Sequence, residues 1–145
     1  MQPGAVSRRG AFVALALLAC GGGGSNAPAP TVDVSGTWIG TLTSTDGRGT
    51  PVFDVLTVTL ILSQNGRALS GIFRSAGPTG AVAGSVSANR VEFTVVVSTA
   101  NCAGRLSFTG SVRERPPDRP ALDLSYEGSQ VCTGEQAGEG TLTTE

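Results

Sequence analysis

Between Phe53 and Ser63 the side chains alternate. Leu56, Val58, Leu60 and Leu62 share one face and Thr57, Thr59 and Ser63 the other, with Ile61 an exception on the polar face. A period of two over that length commits a chain to a half-buried β-strand, because only a pleated backbone returns every second side chain to the same side. The pattern recurs in "ALSGIFRS" (Leu69, Gly71, Phe73), "AVAGSVS", "RVEFTVVVST" (Val91, Phe93, Val95, Val97), "RLSFTGSVRE" (Leu106, Phe108, Val112) and "ALDLSYEG" (Leu122, Leu124, Tyr126). With "VSGTWIGTLTS" before these and "GEGTLTTE" after them, the count reaches about eight strands. No stretch carries apolar residues at helical spacing for three turns.

The strands are punctuated by turn chemistry. Asn65 and Gly66 form the strongest short hairpin signal, since both tolerate positive φ, and "AGPTG", "AN" and "NCAG" separate the later runs. The three prolines of "RPPDRP" cannot continue a ladder, because they lack N–H donors. Residues 33–145 therefore form one all-β domain, predicted as an eight-stranded antiparallel up-and-down β-barrel. Full closure would remove both sheet edges. A β-sandwich is the alternative, disfavoured because successive strands are joined by hairpin-sized turns without the long crossovers of a Greek key.

Gly36, Thr37 and Trp38 in the first strand resemble the G-x-W signature of the calycins, the group that includes lipocalins and avidins. The resemblance covers those three residues; the later lipocalin signatures and the biotin-contacting residues of avidins are not recognisable. It implies a lipocalin-like barrel closed at one end by a tryptophan, and no particular ligand.

Barrel geometry makes a prediction about the cysteines. Connections after odd-numbered strands lie at one end and those after even-numbered strands at the other. Cys102 follows the fifth predicted strand and Cys132 the seventh, so both fall at the same end and a disulfide is expected. An exported location would permit it. A metal-binding or reactive thiol pair is the competing reading, and with no histidine in the chain no zinc site is expected.

Export is signalled by the first 20 residues: Arg8 and Arg9, the apolar run "AFVALALLA", then small residues. The run is too short for a bilayer, which takes about 20 apolar residues. Leu17, Leu18, Ala19 and Cys20 resemble the bacterial lipobox, in which a cysteine is lipidated before the signal is removed; Leu18 stands where a small residue is more usual. An ordinary signal peptide cut near Ala19 is the alternative. The resemblance implies a signal peptide over residues 1–19, membrane attachment through lipidated Cys20, and a flexible Gly/Pro tether over 20–32. The 12 residues from Gly21 to Val32 would span roughly 20 Å as a random coil. Gly21 after the cysteine is similar to the outer-membrane default of such lipoproteins, which implies a cell-envelope protein facing the periplasm or cell surface.

Loss of Arg8 and Arg9 leaves eight arginines against eleven carboxylates, a side-chain charge of −3 with no lysine. A mildly acidic chain has no electrostatic footprint for nucleic acid, and none is expected as a partner. Five arginines predicted near the tethered end (Arg67, Arg90, Arg113, Arg115, Arg119) are offset by Asp33, Glu92, Glu114, Asp118, Asp123 and Glu145. The charges cancel, and no attraction to anionic lipid is expected.

Two surfaces remain for function. The end far from the tether is predicted to carry the longer connections, "TSTDGRGTP", "SAGPTG", "STANCAG" and "SQVCTGEQAGE". Asp46, Arg48, Asn101, Gln130, Glu135 and Gln136 are its candidate partner-binding residues, since recognition concentrates on scaffold loops. The predicted inward row of Trp38, Phe73, Phe93, Phe108 and Tyr126 either fills the barrel or lines a cavity for a small apolar ligand. Without histidine or lysine, general bases reduce to carboxylates scattered over loops and outer faces. A non-catalytic role without cofactor or metal is expected. The favoured reading is a membrane-anchored module presenting loops to a protein or glycan, and the alternative is a lipocalin-like carrier.

Overall fold

Each alternating stretch pairs with its sequence neighbours. The computed structural model describes residues 31–99, 101–114 and 117–145. It contains β1 (Gly36–Asp46), β2 (Pro51–Asn65), β3 (Ala68–Ser75), β4 (Thr79–Ser87), β5 (Arg90–Thr99), β6 (Cys102–Arg113), β7 (Ala121–Gln130) and β8 (Gly134–Thr144). Every pairing is antiparallel, and β8 returns to β1 from Trp38↔Thr144 to Asp46↔Gln136. The result is a closed up-and-down barrel, not a sandwich. The expected signal peptide, Cys20 and the expected tether up to residue 30 lie outside the described residues.

The core lies along the barrel axis, where the apolar half of each alternation points. Trp38 and Leu42 come from β1; Val58, Leu60 and Leu62 from β2; Phe73, Phe93, Phe108, Tyr126 and Leu142 are among those that complete it. The proximal end, where the chain enters, is closed by residues 31–35. The Val32 N–H donates to the Ala88 carbonyl and the Val34 N–H to Gln64 Oε1, both at 2.9 Å. Val34 is fully buried, and its carbonyl accepts the Trp38 indole N–H at 2.9 Å. Val32, placed by sequence at the end of the tether, thus packs against the core.

Two sequence expectations need correction. Asn65 is the last residue of β2 and pairs with Ala68, so the two turn residues are Gly66 and Arg67. Gly66 alone has positive φ, at 60°, which matches the glycine-first form of a two-residue hairpin and frees Asn65 to remain in the ladder. The distal connections are also shorter than predicted. Strands β1, β2, β7 and β8 run on to Asp46, from Pro51, to Gln130 and from Gly134, leaving only residues 47–50 and 131–133 between them. The longest connection, 114–120, lies at the proximal end. Backbone pairing across a closed barrel satisfies N–H and C=O groups that a loop would leave to water, and this extends strands through polar sequence.

Glycine abundance, 21 residues in all, has a structural reason visible at Gly138. This residue faces inward opposite Tyr126, and a Cβ there would meet the Thr43 carbonyl oxygen and lie 2.7 Å from Tyr126 Cε1. Strands that coil tightly enough to close a small barrel approach each other's backbones at such points, and only glycine fits. Gly138→Ala should therefore cost about 2 kcal/mol, the usual scale for overpacking. Gly77→Ala, at a position with open space, should stay within about 0.5 kcal/mol of wild type. Equal denaturant midpoints for the two variants would contradict the close approach.

Candidate functional site

The five aromatics predicted inward are all buried. Phe93, Phe108 and Tyr126 are direct cross-strand partners on β5, β6 and β7. Their rings stack at centroid distances of 4.9 Å and 5.1 Å, and Phe73 tilts onto Phe108 at 5.7 Å. These spacings are those of rings in mutual contact. Trp38 stands nearer the proximal end and reaches Phe73 through Leu60, which pairs with both. The Tyr126 hydroxyl donates to the Thr43 carbonyl at 3.1 Å, and burial raises its phenol pKa.

At the distal end Cys102 opens β6 and Cys132 lies in the β7–β8 turn. They form a disulfide with Cα atoms 4.7 Å apart. The candidate loop residues separate into two groups. Arg48 and Asn101 are exposed in turns, and Glu135 is exposed with its carboxylate over Gly47. Asp46 clasps its own turn, its Oδ1 accepting the Arg48 and Thr50 N–H groups at 2.8 Å. Those N–H groups, Thr50 first and then Arg48, hold its carboxyl below the usual value.

Gln130 and Gln136 do not present themselves to a partner: each is only 4% exposed. Gln130 Nε2 donates to Gln136 Oε1 at 3.0 Å, and Gln136 Nε2 has no partner among the described residues. Extension of β7 and β8 carries the inward alternation to both residues. Their cross-strand neighbours Gly104 and Gly128 leave room for the amides.

A surface groove of about 600 Å³ adjoins this end, on the outer face of β6, β7 and β8. Arg105, Ser107, Glu127, Ser129 and Glu135 supply its polar side chains, with the mostly buried Gln136 also among its lining residues and Gly47 at one lip. Cross-strand register assembles it: Arg105 pairs with Ser129, Ser129 with Glu135, and Ser107 with Glu127. Of the lining residues, Glu135 and Gln136 were singled out by sequence. The others were legible as outward-facing, but their alignment in rows depends on register. Nearer the proximal end of β7, Asp123 is gripped by the Arg113 guanidinium and accepts from Thr141 Oγ1 at 2.7 Å. The hydrogen bond from Arg113 lowers its pKa most; desolvation, the next largest effect, opposes this, and the bond from Thr141 adds a lesser lowering. The groove offers guanidinium and hydroxyl donors beside carboxylate acceptors, a complement to a polar ligand surface. Among the described residues no group of three or more His, Cys, Asp or Glu side chains is placed to hold a metal ion.

No protein-family model and no curated protein matches this chain. The solved structure of EF1p2_mFAP2b bound to DFHBI is similar to it at 13% identity, over 77% of this chain and 93% of that one, with a TM-score of 0.47.

Proposed function

We propose that this chain is a membrane-anchored, non-catalytic binding module that offers the distal, disulfide-bonded end of its barrel to a protein or glycan partner. The groove of Arg105, Ser107, Glu127, Ser129 and Glu135 supports this reading. It lies at the end opposite the one where the chain enters, and so on the side a tether through Cys20 would hold outward. Its mixed donors and acceptors suit polar surfaces such as peptide backbone or sugar hydroxyls. The lipobox residues Leu17–Cys20 and the calycin-like Gly36–Trp38 support an envelope location and a binding role.

Native mass spectrometry of protein purified from its own cells tests both halves. The intact chain should carry acyl mass and retain a macromolecular partner. Cys20→Ala should lose the acyl mass and move to the soluble fraction. Arg105→Ala combined with Glu135→Ala should lower partner occupancy at least tenfold, since charged contacts at a desolvated site are each worth a kcal/mol or more (roughly). A small apolar molecule retained equally by wild type and groove variant would replace this reading with that of a carrier.

A further inference from the structure

The outer surface of the barrel is divided by chemistry. On β2–β5 one cross-strand row runs Ile61↔Ile72, Ile72↔Ala81 and Ala81↔Val96, four apolar residues side by side on four successive strands. Ile61 is 37% exposed, Ile72 43% and Val96 46%, and Ile39 on β1 adds another 37% beside them. From β2 to β5 the charged residues are Asp54, Arg67, Arg74, Arg90 and Glu92, three arginines against two carboxylates, with Glu92 already paired to Arg90 at 3.0 Å. Arg105 flanks the far end of the row as the partner of Val96. Residues 100–145 reverse the balance, with four arginines against seven carboxylates. When charges are grouped by barrel end they cancel; when grouped by face, they separate.

The chain enters beside the β4–β5 turn, at the edge of this apolar side. Val32 is bonded to Ala88 in the β4–β5 turn, and Thr31 lines one pocket with Asp33, Arg67, Ser87 and Ala88. Residues 21–30 lead from this point to Cys20, and a coil of that length reaches roughly 18 Å. A membrane held through Cys20 would lie within reach of β2–β5.

We propose that the β2–β5 face rests on an anionic lipid surface, with Ile61, Ile72 and Val96 against the headgroup–acyl boundary and Arg67 and Arg74 toward lipid phosphates. Apolar patches of this kind mark contact surfaces, and each arginine near an anionic bilayer strengthens binding about fivefold. The acidic β7–β8 face and its groove then point away from the lipid. The geometry rests on the anchoring reading, but the contact is testable without the anchor.

Residues 20–145 carrying Cys20→Ala, which contain every strand of the barrel, are mixed with phosphatidylglycerol–phosphatidylethanolamine vesicles or with pure phosphatidylcholine vesicles and sedimented. Binding should appear on the anionic vesicles, weaken with salt, and be at least fivefold lower on phosphatidylcholine. Ile61→Ser with Ile72→Ser, and separately Arg67→Ser with Arg74→Ser, should each reduce it at least tenfold. Glu139→Gln on the opposite face should not reduce it. Near-UV circular dichroism checks that each variant keeps its packed aromatics.

Absence of binding, or binding indifferent to the isoleucine and arginine pairs, overturns the proposal. So does a stable dimer abolished by Ile61→Ser with Ile72→Ser, which would make a second copy the occupant. If the acylated chain stays on membranes while the Cys20→Ala chain ignores vesicles, the face contact falls and the anchor stands. Vesicle binding by a chain whose native form lacks acyl mass supports the face contact and removes the anchor.

Discussion

Phe108→Ala should lower the unfolding free energy by about 4 kcal/mol and the midpoint temperature by about 15 °C. Phe108 sits at the centre of the aromatic cluster, touching Phe73, Phe93 and Tyr126, and is 1% exposed. Its removal loses both the transfer free energy of a phenyl ring and the contacts of three neighbours. Those neighbours belong to three other strands in a closed ladder and cannot collapse far into the gap. For a domain of this size, with total stability of about 5–15 kcal/mol, the loss is a large fraction. The same variant separates a filled barrel from a hollow one. If the rings fill the interior, the variant gains a dry cavity and binds a small apolar probe such as benzene, which wild type does not. Calorimetric titration with benzene, beside denaturant unfolding, reads both effects. A loss below about 1.5 kcal/mol, or benzene binding already present in wild type, would mean that the cluster lines a pre-formed cavity, which favours the carrier.

Replacing both Cys102 and Cys132 with serine should cost about 3.5 kcal/mol, from the loop-closure entropy returned to the unfolded chain when a link of sequence separation 30 is lost. The native barrel should change little. Gly104 and Gln130 still pair across β6 and β7, and the Val131 N–H still donates to the Ala103 carbonyl at 2.8 Å. The midpoint should therefore fall while the denaturant slope rises slightly, because the unlinked unfolded chain exposes more surface. Urea unfolding of wild type with and without reductant, beside the double variant, checks this. Reduced wild type and double variant should coincide. Free thiols recovered at both positions by non-reducing peptide mapping would contradict the bond.

The disulfide and the stack were legible in the sequence for the same reason. Both follow from counting strands and noting their alternation, and alternation is a local property of the pleated backbone. Phe93, Phe108 and Tyr126 face inward because of their parity within their own strands. Cys102 and Cys132 share an end because two strands separate them. Gln130 and Gln136 were misread because strand length is not local. Pairing with neighbours extended β7 and β8 through residues whose composition suggests a loop, and the inward parity then took both amides with it. Gly66 and Arg67 replaced Asn65 and Gly66 in the turn by the same mechanism, a register set across the ladder.

What the amino-acid order determined by itself is a strand-forming chain with an apolar side and a polar side repeated eight times, which has no exposed sheet edge only when it closes. The tertiary structure alone decided which residues became neighbours around the circumference. The groove of Arg105, Ser129 and Glu135 joins residues from three strands in one row, and the Ile61–Ile72–Ala81–Val96 row joins four. Neither is visible along the chain, because cross-strand register depends on turn lengths, bulges and glycine positions acting together. The separation of an acidic face from a cationic, apolar one has the same origin. A net charge is a sum over the sequence, whereas a face is a set of positions that only closure of the barrel defines.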